Sequence, residues 1–314
     1  MTYLITGGAG FIGSALAHEL VARGERVRVL DNLATGNKKN LADIVGRVEF
    51  VAADICDLPA VERAMQGVDY VLHQAALPSV PRSVQDPLSS HRANADGTIN
   101  VLWAAKQAGV KRLVYAASSS AYGDTPTLPK VESMIPNPLS PYAVNKLLGE
   151  YYNKVFHRCY GLETVSLRYF NIFGPRQDPT SPYSGVLSLF ITKLLNKQTP
   201  TIYGDGEQSR DFNFVANAVQ ANLLACIAPN APGNVYNVGT GSRYTLNQTL
   251  AMLAKIIGVE PRAEYTALRA GDIRDSQADI TAARRDLGYD PKVTFEEGLR
   301  QTVDWYRTSG AAAA

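Results

Sequence analysis

The chain has 314 residues, 46% of them hydrophobic, and a formal charge of +2, which suits one large core or two unequal lobes and excludes a disordered chain. The charge is spread without basic runs, so bulk electrostatics implies neither nucleic acid nor an anionic membrane surface as a partner, though a compact anionic ligand stays open. Cys56, Cys159 and Cys226 lie far apart, which argues against a metal cluster or a disulfide framework and fits a reducing cytoplasm.

The first strand-like run starts at Thr2, which leaves no room for a signal segment, and no apolar run reaches membrane-spanning length. The cytoplasm is the expected location. The closing residues, Gly310 and the alanines 311–314, read as a frayed helix end or an appended remnant.

Strand-like runs at 3–6, 27–30, 48–52, 70–73, 113–117 and 164–169 alternate with helical stretches. That alternation predicts an α/β fold, a doubly wound parallel sheet with helices on both faces. After Asn171 the texture turns to loops punctuated by Pro and Gly, such as Gly174-Pro175 and Gly204-Asp205-Gly206. The expected division is a cofactor domain over 1–169, with a return to its sheet near 210–240, and a smaller α/β substrate lobe over 170–310.

Leu4-Ile5-Thr6-Gly7-Gly8-Ala9-Gly10-Phe11-Ile12-Gly13 reads as a strand, a glycine turn and a helix start, where bare backbone approaches a pyrophosphate. The next strand ends in Asp31, placed to hydrogen-bond an adenosine ribose diol. Neither neighbour, Leu30 nor Asn32, is an arginine that would accept the NADP phosphate. The expected cofactor is therefore NAD.

Ser140 and Pro141 suit a helix N-cap and first position, which sets Tyr142 and Lys146 one turn apart on one face. A lysine ammonium there favours the phenolate, so Tyr142 is the candidate general base and Lys146 its partner. Ser118 follows the strand 113–117, at the sheet edge where open α/β folds bind ligands.

The glycine turn, Ser118, Tyr142 and Lys146 together resemble the extended short-chain dehydrogenase/reductases. Ser118-Ser119-Ser120-Ala121-Tyr122-Gly123, the stretch 139–146 and Leu167-Arg168-Tyr169-Phe170-Asn171 resemble the UDP-sugar 4-epimerases within them. The resemblance spans nearly the whole chain and implies a Rossmann sheet. It also implies NAD contacts at Gly7, Gly10, Phe11, Ile12, Asp31, Asn32, Gly36, Asp54, Ile55, Ala75, Asn94, Tyr142, Lys146 and Tyr169.

For the UDP-sugar it implies Ser118, Ser119, Ser120, Tyr142, Asn171, Gln177, Gly185, Val186, Tyr203, Arg210, Arg269, Asp272 and Ser276. Arg210 and Arg269 would pair with the diphosphate, Asp272 would take a ribose hydroxyl and Tyr203 would lie on the uracil. His73 reads as structural, and His18, His91 and His157 receive no role.

In such enzymes Tyr142 would take the proton of the sugar's 4-hydroxyl while the hydride at that carbon passes to NAD, and the 4-keto sugar would turn over before reduction. Related 4,6-dehydratases carry Asp-Glu where Ser119 and Ser120 stand, and UDP-glucuronate decarboxylases keep an acid there, so both reactions are disfavoured. Ser276 stands where some relatives carry a tyrosine that narrows the pocket, so N-acetylated sugars are expected to fit. Pro78, where glycine is expected in dedicated N-acetyl epimerases, speaks against exclusive N-acetyl specificity.

The expected activity is interconversion of UDP-glucose with UDP-galactose, and of their N-acetylated counterparts. A UDP-glucuronate 4-epimerase and a dehydrogenase or reductase with net NADH release remain the alternatives. A homodimer through the helices near 94–108 and 142–160 is expected from the family.

Overall fold

A computed structural model describes residues 1–178, 185–267 and 273–309. Its strands, in chain order, begin with β1 (Thr2–Thr6), β2 (Arg26–Asp31), β3 (Val48–Ala52), β4 (Tyr70–His73), β5 (Arg112–Ser118) and β6 (Glu163–Tyr169). Four short strands follow: β7 (Ile172–Phe173), β8 (Thr201–Tyr203), β9 (Ser209–Arg210) and β10 (Asn213–Phe214). β11 (Val235–Val238) then returns to β6.

The main sheet is seven-stranded and parallel, in the order β11-β6-β5-β4-β1-β2-β3. The fold class is that expected from the alternation. Every residue of β1 is buried, as a strand covered on both faces requires, and this is why its sequence is a near-continuous apolar run. The direction of strand order reverses between β1 and β4, so their carboxyl ends open a crevice.

The helices of this half are α1 (Phe11–Ala22), α2 (Leu58–Met65), α3 (Val80–Gln85), α4 (Pro87–His91), α5 (Gly97–Gln107) and α6 (Pro141–Tyr160). Side-chain alternation sends Ile5 and Val29 to one face of the sheet, with Leu16 and Leu20 of α1. Leu4 and Leu30 go to the other, with Val61, Leu102 and Phe156.

The remaining elements are α7 (Val186–Leu195), α8 (Val215–Ile227), β12 (Tyr244–Thr245), α9 (Leu246–Ile257), β13 (Glu264–Thr266), α10 (Thr281–Leu287) and α11 (Phe295–Ser309). α8 packs on the sheet beside α1, and α7, α9 and α11 pack on one another. Phe295, the first residue of α11, stacks on Phe212 at 5.1 Å and meets Tyr244 at 4.5 Å and Phe173 at 5.5 Å. This aromatic knot joins β7 and β10 to the last helix, so the apolar core runs unbroken from the sheet into the second half. Among the described residues no helix is long and apolar enough to cross a membrane.

Candidate active site

The glycine turn leaves β1 and enters α1 with almost no space for side chains. A Cβ on Gly7 would lie 2.7 Å from the Ala75 backbone, and one on Gly13 would lie 2.1 Å from the Gly7 carbonyl oxygen. Gly7 also takes a φ of +69°, a conformation open to glycine and strained for other residues. Gly10 N-caps α1, and no side chain caps the first turn there, where helix geometry leaves backbone amides without intrahelical partners.

Asp31 ends β2, and its two carboxylate oxygens accept the amides of Ala9 (2.9 Å) and Leu33 (2.7 Å). A Cβ on Gly36 would stand 2.9 Å from both of those oxygens. Asn32 donates to Asp54 (2.9 Å), and Ile55 lies buried against Gly97. These closures form a cradle of bare backbone beside a fixed carboxylate, which fits a dinucleotide.

The Asn94 side chain accepts from the Leu77 amide (2.8 Å) and donates to the Leu77 carbonyl (3.3 Å), fixing the segment after β4. Tyr169 closes a ring of hydrogen bonds. It donates to Gln74 (3.0 Å), Gln74 donates to Asn222 (3.1 Å), and Asn222 donates back to the Tyr169 hydroxyl (2.7 Å).

His73 is fully buried between Thr6 and Thr98. Because the Thr98 hydroxyl donates to the Asn94 carbonyl (2.7 Å), it accepts from Nε2, and Nδ1 accepts from Thr6. Burial and the nearby Lys146 charge push the imidazole pKa down to about 3, so it is a neutral structural group.

α6 begins as its sequence predicts. Ser140 caps the amide of Ala143 (3.2 Å) and Pro141 opens the first turn. The amide of Tyr142 donates to Ser83 of α3 (3.1 Å), which anchors the tyrosine's turn. Ser118 ends β5, and the Ser120 hydroxyl donates to it (2.8 Å). A hydrogen bond to Ser118 favours the Tyr142 phenolate, but burial outweighs it and pushes the phenol up to about 12.

The expected action of Lys146 on the phenol is not the dominant effect. Its Nζ donates to the Ala116 carbonyl (2.7 Å) and lies 4.9 Å over the Tyr115 ring. Burial pulls its pKa down to about 7, with Glu150 acting in the opposite direction. Desolvation of both groups therefore exceeds their mutual influence.

On the other wall of the crevice, Ser119, Lys130, Asn171, Arg210, Asp275 and Ser276 line a small cavity. Asn171 donates to Ser276 (3.1 Å) and to the Asp211 carbonyl (3.0 Å). Asp211, wholly buried, gathers the wall: its carboxylate accepts from the amides of Thr240 (2.8 Å), Gly241 (3.0 Å) and Ala278 (3.0 Å) and from the Thr240 hydroxyl (2.7 Å).

Arg210 donates to the carbonyls of Ser209 and Arg274 (both 2.9 Å). Gly185 caps α7, whose first residue is Val186, and a Cβ there would stand 3.5 Å from the Gln177 amide. Tyr203 ends β8 and is 38% exposed. Arg269 and Asp272 lie outside the described residues.

Sequence reasoning missed several members of this site. Lys130 is buried beside Ser119, with Nζ donating to the hydroxyl (2.6 Å) and the carbonyl of Thr125. Asp211 and the ring of Gln74 and Asn222 were also unseen, and no local spacing announces them. Glu150 had a signal, since it follows Lys146 by one helical turn.

A parallel sheet with a bare glycine cradle, joined to a Ser, Tyr and Lys corner, defines an extended short-chain dehydrogenase/reductase. The chain belongs to the NAD dependent epimerase/dehydratase family, whose model matches residues 3–239. It is 39% identical over 311 residues to the UDP-glucose 4-epimerase of Mycolicibacterium smegmatis, covering 98% of this chain and 99% of that one.

Two solved structures are similar along the same length. The UDP-N-acetylglucosamine 4-epimerase of Methanobrevibacter ruminantium, in complex with UDP-N-acetylmuramic acid, has a TM-score of 0.94 and 39% identity, covering 98% of each chain. The Thermus thermophilus UDP-glucose 4-epimerase complex with NAD has a TM-score of 0.90 and 40% identity, covering 98% of this chain and 99% of that one.

Proposed function

We propose that the chain is an NAD-dependent UDP-hexose 4-epimerase, acting on UDP-glucose and UDP-galactose and accepting their N-acetylated counterparts. The observation that carries this reading is the corner at the end of β5. There Tyr142 and Ser118 meet, and the two positions after Ser118 carry hydroxyls, with Ser120 donating to Ser118. A hydroxyl corner suits proton transfer at one carbon and lacks the acid–base pair that elimination of water needs.

The residues fit NAD through the glycine cradle, the fixed Asp31 carboxylate and the Asn32–Asp54 pair. When bound, NAD supplies reversible acceptance of the hydrogen and electron pair at the sugar's fourth carbon. Tyr142 takes the 4-hydroxyl proton and returns it, while Ser118 hydrogen-bonds the same oxygen. Arg210, with Arg269, holds the diphosphate, so the 4-keto sugar turns about that anchored end and presents its other face. Lys146 supplies positive charge next to the developing phenolate.

Ser276 supports the wider substrate range, since its short side chain lies in the cavity wall beside Asn171. Chromatographic identification of products from UDP-galactose, UDP-N-acetylgalactosamine and UDP-glucuronate in parallel tests the reading. Epimers at carbon 4 are expected from the first two, with no NADH released. Steady NADH accumulation, or turnover of the uronate alone, overturns it.

The same reading includes a homodimer. Val144, Tyr151 and Val155 form an exposed apolar stripe along α6, with exposed Val84 and Leu88 on the neighbouring helices α3 and α4. Light scattering of the wild type is expected to give twice the chain mass, and a monomer there removes the dimer.

A further inference from the structure

The reading above uses Lys146 but leaves a buried ion pair beside it without a task. Glu150 follows Lys146 by four positions on α6, so the two side chains share one face. Both are buried, at 3% exposure for Lys146 and 4% for Glu150. Across the face, Arg168 of β6 grips the Glu150 carboxylate with two bonds, Nε to Oε1 at 2.9 Å and Nη2 to Oε2 at 2.7 Å. The guanidinium also lies 4.6 Å over the Tyr122 ring.

Such a pair is not retained for stability as a matter of course. Taking two charges out of water costs about as much as their attraction returns, and well-packed apolar residues often serve as well. The local charge balance suggests a different use. Arg168 stays cationic at any working pH, so this corner holds two cations, Lys146 and Arg168, against one carboxylate.

The other groups around the Lys146 ammonium bring no negative charge. Tyr142 stands a turn earlier on α6, Tyr115 and the Ala116 carbonyl face it from β5, and neutral His73 faces it from β4.

We propose that Glu150 is a positioning residue of the redox site, whose carboxylate, clamped by Arg168, shifts Lys146 back toward the ammonium form that the tyrosine needs. Burial alone drives a lysine toward the neutral amine, and a neutral amine gives the Tyr142 phenolate no charge to lean on. The Ala116 carbonyl and the Tyr115 ring act against this as neutral partners, and the Glu150 carboxylate adds a full negative charge from a rotamer fixed by two bonds rather than by solvent. Arg168 sets how much of that negative charge Lys146 receives. The pair is thus a built-in bias on the lysine's charge, supplied from one helical turn further along α6.

This inference rests on the reading of Tyr142 and Lys146 as the redox pair. The test compares the wild-type holoenzyme with Glu150→Gln, Glu150→Asp and Arg168→Gln. One readout is the pH profile of kcat; the other is NMR titration of lysine labelled with 13C at Cε, with the Lys146 signal identified by its loss in Lys146→Met.

Glu150→Gln is expected to move the Lys146 midpoint, and the alkaline limb of kcat, about one pH unit toward acid. Relative to wild type, turnover then falls about twofold at pH 6 and about tenfold at pH 8. Glu150→Asp should restore most of that shift, and Arg168→Gln should move the midpoint the opposite way.

A uniform loss of kcat at every pH with an unmoved Lys146 midpoint overturns the proposal. Should Glu150→Gln not fold, Arg168→Gln decides: an alkaline shift supports the bias, and an unmoved midpoint ends it. A wild type that forms neither epimer nor NADH fails the functional reading instead, whereas an active wild type with unmoved variants fails this inference alone.

Discussion

The two walls of the crevice are made from different materials. On the cofactor side the surface is main chain: Gly7, Gly10 and Gly13 pack so closely that a single methyl at Gly13 would meet a carbonyl at 2.1 Å. On the wall proposed for the sugar the surface is side chains, with Asn171, Arg210, Lys130 and Ser276 brought together from distant segments. Backbone has one chemistry, so the first wall suits a cofactor shared by many reactions. Side chains differ, so the second wall is where one substrate is chosen over another.

The contrast can be broken first at the seam. Tyr142→Phe keeps the ring and removes the transferable proton, so kcat should fall about a thousandfold. UDP-sugar affinity, measured by calorimetry, should stay within about twofold, since the phenol acts in the reaction and not in holding the nucleotide. A variant that retains most of its turnover would remove Tyr142 as the base.

Gly13→Ala attacks the backbone wall alone. Overpacking of this kind costs about 1–3 kcal/mol, so NAD affinity should drop roughly 10- to 100-fold while UDP affinity is unchanged. Equal losses for both ligands would show that the two walls do not act separately.

Lys146 stands between the walls and titrates. Its folded pKa of about 7 lies below the ordinary value of 10.5, so the folded state prefers the neutral amine. The lysine therefore costs no stability above about pH 10.5, a growing amount as pH falls toward 7, and its full amount below that. Lys146→Met should raise the melting temperature at pH 6, by the equivalent of about 2–4 kcal/mol, with the gain fading toward pH 10. A gain independent of pH would mean that folding does not shift the lysine's pKa.

The smallest expected effect is on the sugar wall. Ser276→Tyr places a ring where a hydroxyl now accepts from Asn171, and should lower kcat/KM for N-acetylated substrates about tenfold more than for UDP-galactose. Equal losses would count against Ser276 as a gate on substrate width.

Much of this molecule was legible along the chain. The strand expected at 48–52 is β3, and the one expected at 113–117 is β5 with one residue more at each end. The cap at Ser140 and the turn at Gly7 follow from residues within a few positions of each other. Asp211 was not legible: an aspartate between Arg210 and Phe212 reads as a loop residue until Thr240, Gly241 and Ala278 are folded onto it. Arg168 reads as the charged end of a strand, and only the packing of α6 against β6 turns it inward to Glu150.

The sequence by itself determined the parallel sheet, the glycine cradle and the pairing of Tyr142 with Lys146 on one helical turn. Each of these rests on local periods and steric rules that act between near neighbours. Tertiary structure alone decided which charges those groups carry. Desolvation and counter-charge depend on what lies around a side chain in space, so the neutral His73, the high phenol of Tyr142 and the balance between Lys146, Glu150 and Arg168 exist only once β4, β5, β6 and α6 are packed together.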